Sequence, residues 1–160
     1  MKKYMDKGLI FLGAGLLAML LELLILHQNL SQLNILTYLL SIGIIPAVIL
    51  FVSVLLYSAN TKAAPALTYA LAIAMALIFS VIMLVYCGNA ITSELVETIL
   101  ANSITSDTTQ VSMTEASAGD NIQSVLIFVA FSGIGAFIGN RIRKKNTPTP
   151  ATSIEDEYDS

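Results

Sequence analysis

Residues 66–86 read ALTYALAIAMALIFSVIMLVY, a stretch without one charged side chain and with only Thr68, Tyr69, Ser80 and Tyr86 as polar groups. A hydrocarbon core about 30 Å thick is crossed by about 20 helical residues at 1.5 Å each, and this segment reaches that length. Lipid offers no water to the backbone, so a spanning segment must pair its own N–H and C=O groups, which makes it a helix. Pro65 stands just before it, in the first turn, where a missing N–H is harmless.

Working outward, residues 8–26, 35–57 and 122–139 have the same apolar character. The whole chain agrees: 160 residues, 56% hydrophobic, 12% charged, mean hydropathy +0.78. A soluble domain carries about 25% charged residues to wet its surface. Half that share points to lipid as solvent. The fold expected is all-α and integral to the membrane, a four-helix transmembrane bundle occupying residues 8–140.

The basic residues orient it. Lys2, Lys3 and Lys7 precede the first span, Lys62 lies between the second and third, and Arg141, Arg143, Lys144 and Lys145 follow the fourth. With alternating spans, all eight fall on one side, whereas connections 27–34 and 87–121 contain none. Retention of Lys and Arg inside the cell then predicts a multi-pass protein of the plasma membrane with both termini cytoplasmic. Tyr4, Tyr57 and Tyr69 would mark the inner interface and Tyr86 the outer one. The first apolar run exceeds the 7–15 residues of a signal-peptide core and no small-residue cleavage site closes it, so it is read as a span.

Connections 27–34 and 58–65 are short, which makes spans one, two and three antiparallel neighbours. Connection 87–121 is long enough to be functional or disordered. Its first part, 91–104, sets Ile91, Leu95, Ile99 and Leu100 on one helical face with Glu94, Glu97 and Asn102 elsewhere. That pattern predicts a short amphipathic helix lying on the membrane or capping the bundle. Residues 105–121, rich in Ser, Thr, Asp and Gly, have no periodicity. The tail, 141–160, begins basic and ends with Glu155, Asp156, Glu157 and Asp159, a composition too polar to fold alone.

Chemistry is sparse. Cys87 is the one cysteine, so no intramolecular disulfide or paired-thiol chemistry exists, and His27 is the one histidine. Intramembrane proteolysis would need two membrane aspartates or a serine with a histidine base, and the spans offer neither. No HExxH or phosphate-binding loop occurs. The expectation is a protein that is not an enzyme and takes no metal or cofactor. With no basic face beyond one juxtamembrane cluster, it should not bind nucleic acid.

Glu22 is the ionisable residue placed well inside a span, where a carboxylate costs several kcal/mol unless it meets protein or water. Counting to equal depth in the second and third spans reaches Ser41 and Ser80, which predicts a polar cluster of Glu22, Ser41 and Ser80. Such a carboxyl either glues helices or carries a proton or cation. Gly135 and Gly139 form a GxxxG pair, and Ala66, Ala70 and Ala74 recur every fourth residue, as do Ala72 with Ala76 and Ala14 with Ala18. Small residues at this spacing let helices touch, within one bundle or between proteins. Gly43 and Pro46 predict a kink in the second span. Arg141, Arg143, Lys144 and Lys145 serve as the orientation signal and can attract anionic headgroups.

The short first loop, long third loop and cytoplasmic ends look like the layout of tetraspanins. Those proteins carry a Cys-Cys-Gly motif and further loop cysteines, whereas here Cys87-Gly88 stands without a partner. A glutamate in the first of four spans is similar to small multidrug-resistance transporters, whose loops are short throughout, unlike 87–121. Neither resemblance extends to motifs. The functional expectation is an accessory or scaffold subunit acting by lateral helix association, as a homo-oligomer or with another membrane protein. The alternatives are a small transporter or channel subunit centred on Glu22, and a membrane immunity or holin-like factor.

Overall fold

The computed structural model describes residues 2–103 and 118–146, with side chains described for 9–103 and 123–146. The expectations for 105–117 and for the acidic tail lie outside the described residues, as do the side chains of Tyr4 and the three N-terminal lysines. In chain order come α1 (Lys2–Asn29), a 3₁₀ turn (Leu30–Gln32), α2 (Ile35–Leu39), a π turn (Leu40–Ile44), α3 (Ile45–Asn60), α4 (Pro65–Ala90), α5 (Ser93–Ser103) and α6 (Ala118–Asn146). Four stretches, Leu9–Gln32, Ile35–Asn60, Pro65–Ala90 and Gln123–Asn146, are long and apolar enough to cross a membrane. The chain has the architecture of a multi-pass membrane protein.

Local chemistry sets the ends. Asn34 opens α2 with a reciprocal cap: its side chain accepts from the Thr37 N–H at 2.9 Å, and the Thr37 hydroxyl accepts from the Asn34 N–H at 3.0 Å. The chain leaves α3 at Thr61, which is extended, and re-enters a helix at Pro65, whose fixed φ suits the first turn. Thr68 closes that turn by donating to the Pro65 carbonyl at 2.7 Å.

Where the sequence predicts a kink, the second span has a π turn. Ile45 gives its N–H to the Leu40 carbonyl, five residues back. Pro46 has no N–H to give. The Ser41 carbonyl therefore has no donor in its own helix, and the hydrogen-bond register of the span shifts by one residue at this point.

The bundle is organised around α3 and α6, its most extensively packed pair. α4 packs chiefly on α6, α1 chiefly on α3, and α1 scarcely touches α4. Glycine makes the tight seam possible. A Cβ on Gly135 would come 2.8 Å from the Phe51 carbonyl oxygen, and one on Gly139 would come 2.6 Å from that of Leu55. On the other side of α3, Gly15 of α1 lies against Ser53, whose Cβ would be 2.7 Å from an added Cβ. Met19, Leu50, Val54, Ala76, Phe79 and Ala136 fill the centre. Tyr57 corrects the reading of it as an interface marker: it is 1% exposed, turned into the core beside them.

α5 lies over the 27–34 connection. Ile99 is fully buried, Leu95 and Leu100 are half-buried, and Glu94 and Glu97 face outward. Asn102 Nδ2 donates to the Ser31 and Leu33 carbonyls, both at 3.0 Å. The Ile35 N–H donates to Ser103 Oγ at 2.7 Å. Backbone groups that would be stranded at the mouth of the bundle are thereby satisfied.

Candidate functional site

α1 turns Met19, Leu23 and Leu26 into the bundle and Leu20, Leu21, Leu24 and Ile25 away from it. Glu22 falls at the border between these faces and is half-buried. Its Oε2 is enclosed by protein and makes no hydrogen bond. On α4, Tyr86 Oη is likewise enclosed and unbonded, within electrostatic range of Glu22. His27, five residues further along α1, meets the Tyr86 ring edge-on at 6.4 Å between centroids and is itself exposed.

The predicted cluster of Glu22, Ser41 and Ser80 is not joined by hydrogen bonds. Ser80 is buried and donates to the Ala76 carbonyl of its own helix at 2.7 Å. Ser41 is half-buried beside the π turn. Tyr86, read from the sequence only as an interface marker, lies within electrostatic range of Glu22. Equal depth in the membrane does not fix rotation about the helix axis. Ser80 instead lines an apolar crevice with Ile42, Gly43, Met83, Cys87 and Phe128, between the second span, α4 and α6. Cys87 is a free thiol there.

At the opposite end, polar side chains lock the helices. Asn140 on α6 donates to Thr68 Oγ1 on α4 at 3.0 Å, with both residues buried. Arg143 Nη1 donates to the Thr61 and Ala63 carbonyls at 2.9 and 2.8 Å, holding the α3–α4 connection. Arg141 lies 5.3 Å from the Phe137 ring centre, and Arg141, Lys144 and Lys145 are exposed. Sequence reading missed the Asn140–Thr68 pair. Its signal was an amide next to Gly139, inside the close-packing stretch.

Both glycines of the GxxxG pair are buried against α3 within the chain. Ala72 and Ala76 are buried as well, whereas Ala66, Ala70 and Ala74 are exposed along one side of α4. Among the described residues, no group of three or more His, Cys, Asp or Glu side chains converges on a point that could hold a metal ion. No protein-family model, curated protein or solved structure matches the chain.

Proposed function

We propose that the protein is a non-catalytic subunit of the plasma membrane that works by lateral association, as a scaffold or accessory chain in a homo-oligomer or beside another membrane protein. Both termini lie in the cytoplasm in this reading. The observation that carries it is the division of the small residues of α4 into two faces. Ala72 and Ala76 pack inside the bundle, while Ala66, Ala70 and Ala74 stay exposed at helical spacing. Between 28% and 33% of the apolar stretch of each span is buried within the chain, which leaves much of every span facing lipid or another protein. Where lipid provides no hydrophobic drive, a smooth stripe that lets backbones approach is what favours contact between helices.

The test is disulfide trapping in native membranes. With Cys87 replaced by serine, a cysteine at Ala70 should form a cross-linked species that a cysteine at exposed Val81 does not. Absence of any cross-linked species at Ala66, Ala70 and Ala74 alike would refute association through this face.

A further inference from the structure

We propose that Glu22 is an exchangeable proton-binding site inside the membrane span, reached from the α5 end of the bundle through Tyr86 and His27. The inference is independent of lateral association.

Glu22 is the single Asp, Glu, Lys or Arg in the first three spans, and the basic residues of the fourth, Arg141 to Lys145, lie at the other end of the bundle. Lys62 is at that other end too, in the connection after α3. Among the described residues, no Lys or Arg stands near the Glu22 carboxyl. A carboxylate with one oxygen enclosed by protein, no hydrogen-bond donor and no counter-ion is strongly disfavoured. A proton neutralises it and needs no further ligand set. Two oxygens, from one carboxyl and one phenol, are too few to satisfy a hard metal cation.

Buried polar atoms are nearly always hydrogen-bonded. Glu22 Oε2 on α1 and Tyr86 Oη on α4 are both enclosed and unbonded, the two groups lie within electrostatic range of each other, and the Tyr86 ring meets α1 at His27. A protonated carboxyl is a donor and a phenol oxygen can accept, then pass on its own proton. Beyond Tyr86 stands His27, exposed and in ring-edge contact with it. Imidazole is the side chain that takes up and gives up protons near neutral pH. Carboxyl, phenol and imidazole thus run in sequence from the interior to the surface.

The titratable surroundings are few. Tyr86 and Cys87 face this region from α4, and Tyr38 joins them from α2 within electrostatic range of Cys87. α3 contributes only Tyr57, at the far end, and α6 contributes only its terminal basic residues among the described side chains. Glu94 and Glu97 on α5 are exposed. None of these is a fixed charge packed on Glu22, so its proton answers to pH at the α5 end.

Infrared difference spectroscopy of the full chain in phosphatidylcholine vesicles, in sodium-free buffer, tests this. Above about pH 6 exposed carboxyls are ionised, so a remaining protonated-carboxyl band isolates a buried acid. The expected band disappears as pH rises, returns on acidification and is missing from Glu22→Gln. Tyr86→Phe should shift the band, and His27→Ala should slow its response to a pH jump. A band retained in Glu22→Gln overturns the proposal. So does a wild-type band that never titrates, which marks a sealed helix-gluing acid, or no band at any pH, which marks a carboxylate neutralised by something else. Unchanged behaviour of both Tyr86→Phe and His27→Ala would overturn the route. If Glu22→Gln fails to fold, Glu22→Asp keeps the acid and must move the band; an unmoved band counts against the assignment.

Discussion

Gly139 touches the backbone of Leu55: a methyl group on its α-carbon would lie 2.6 Å from the Leu55 carbonyl oxygen and 3.0 Å from the Ala59 nitrogen. The obstacles are helix backbone atoms together with the Ser58 Cβ at 2.7 Å, none of which can swing aside as the end of a long side chain can. Gly135 repeats the relationship one turn earlier with Phe51. The seam between α3 and α6 is therefore built by the absence of two side chains.

Gly139→Ala should destabilise the folded protein by about 1–3 kcal/mol, the usual penalty of overpacking, and Gly135→Ala by a similar amount. Gly133→Ala is the control, because nothing lies within 4 Å of an added Cβ there. Thermal unfolding of detergent-solubilised protein reads the difference. Equal stability of all three variants would remove the seam from the account.

The buried Thr68–Asn140 pair should show coupling. Interhelical hydrogen bonds in membranes contribute about 0.6 kcal/mol on average and at most about 1.7. Thr68→Val and Asn140→Leu should each cost about that much or more, since each leaves an orphaned polar group. Together they should cost less than their sum. Strict additivity in a double-mutant cycle would show that the pair does not interact.

Arg143 differs from its neighbours in having carbonyl partners. Arg143→Ala should lower stability by about 1.5–3 kcal/mol, the range for hydrogen bonds to a charged group. Lys144→Ala and Lys145→Ala should be nearly silent, for both side chains are exposed. Thermal unfolding of the three variants compares them directly, and equal effects would make the clamp on Thr61 and Ala63 irrelevant.

The orientation has its own test. In a background lacking Cys87, a cysteine at Gln28 should react with an impermeant thiol reagent in intact cells, and one at Asn60 only after permeabilisation. Both positions are exposed, at opposite ends of the bundle. The expectation rests on the one-sided placement of Lys and Arg. The reverse labelling pattern would invert the topology.

Much of this arrangement could be read in advance because lipid makes hydrophobicity a strong signal. Four apolar runs marked four helices, and the placement of Pro65 followed from residue type. The helices extend beyond the runs, α6 to Asn146 rather than Gly139, because a helix continues past the depth at which hydropathy stops reporting it. Glu22 stood out by depth, yet its relation to Tyr86 did not, since one sequence gives height in the membrane without rotation. Gly15 against Ser53 was hidden for the same reason. The π turn at Leu40–Ile44 was legible only as a disturbance around Gly43 and Pro46, because the register of backbone hydrogen bonds leaves no mark on residue type. Nothing in the sequence sorted Ala66, Ala70 and Ala74 from Ala72 and Ala76 into outer and inner faces; packing against α6 did that.

Lateral association through the exposed alanine face is the central claim, and subunit counting tests it most directly. The full chain, labelled once at Cys87 or at an engineered site, is reconstituted at high dilution in vesicles, alone and with the proteins that co-purify with it from native membranes. Single-molecule photobleaching and mass measurement then give the composition of each particle. The account predicts defined complexes of two or more chains, dissolved when Ala66, Ala70 and Ala74 are replaced together by isoleucine while thermal stability is retained. A particle of one chain under every condition, or complexes indifferent to the triple replacement, would contradict it.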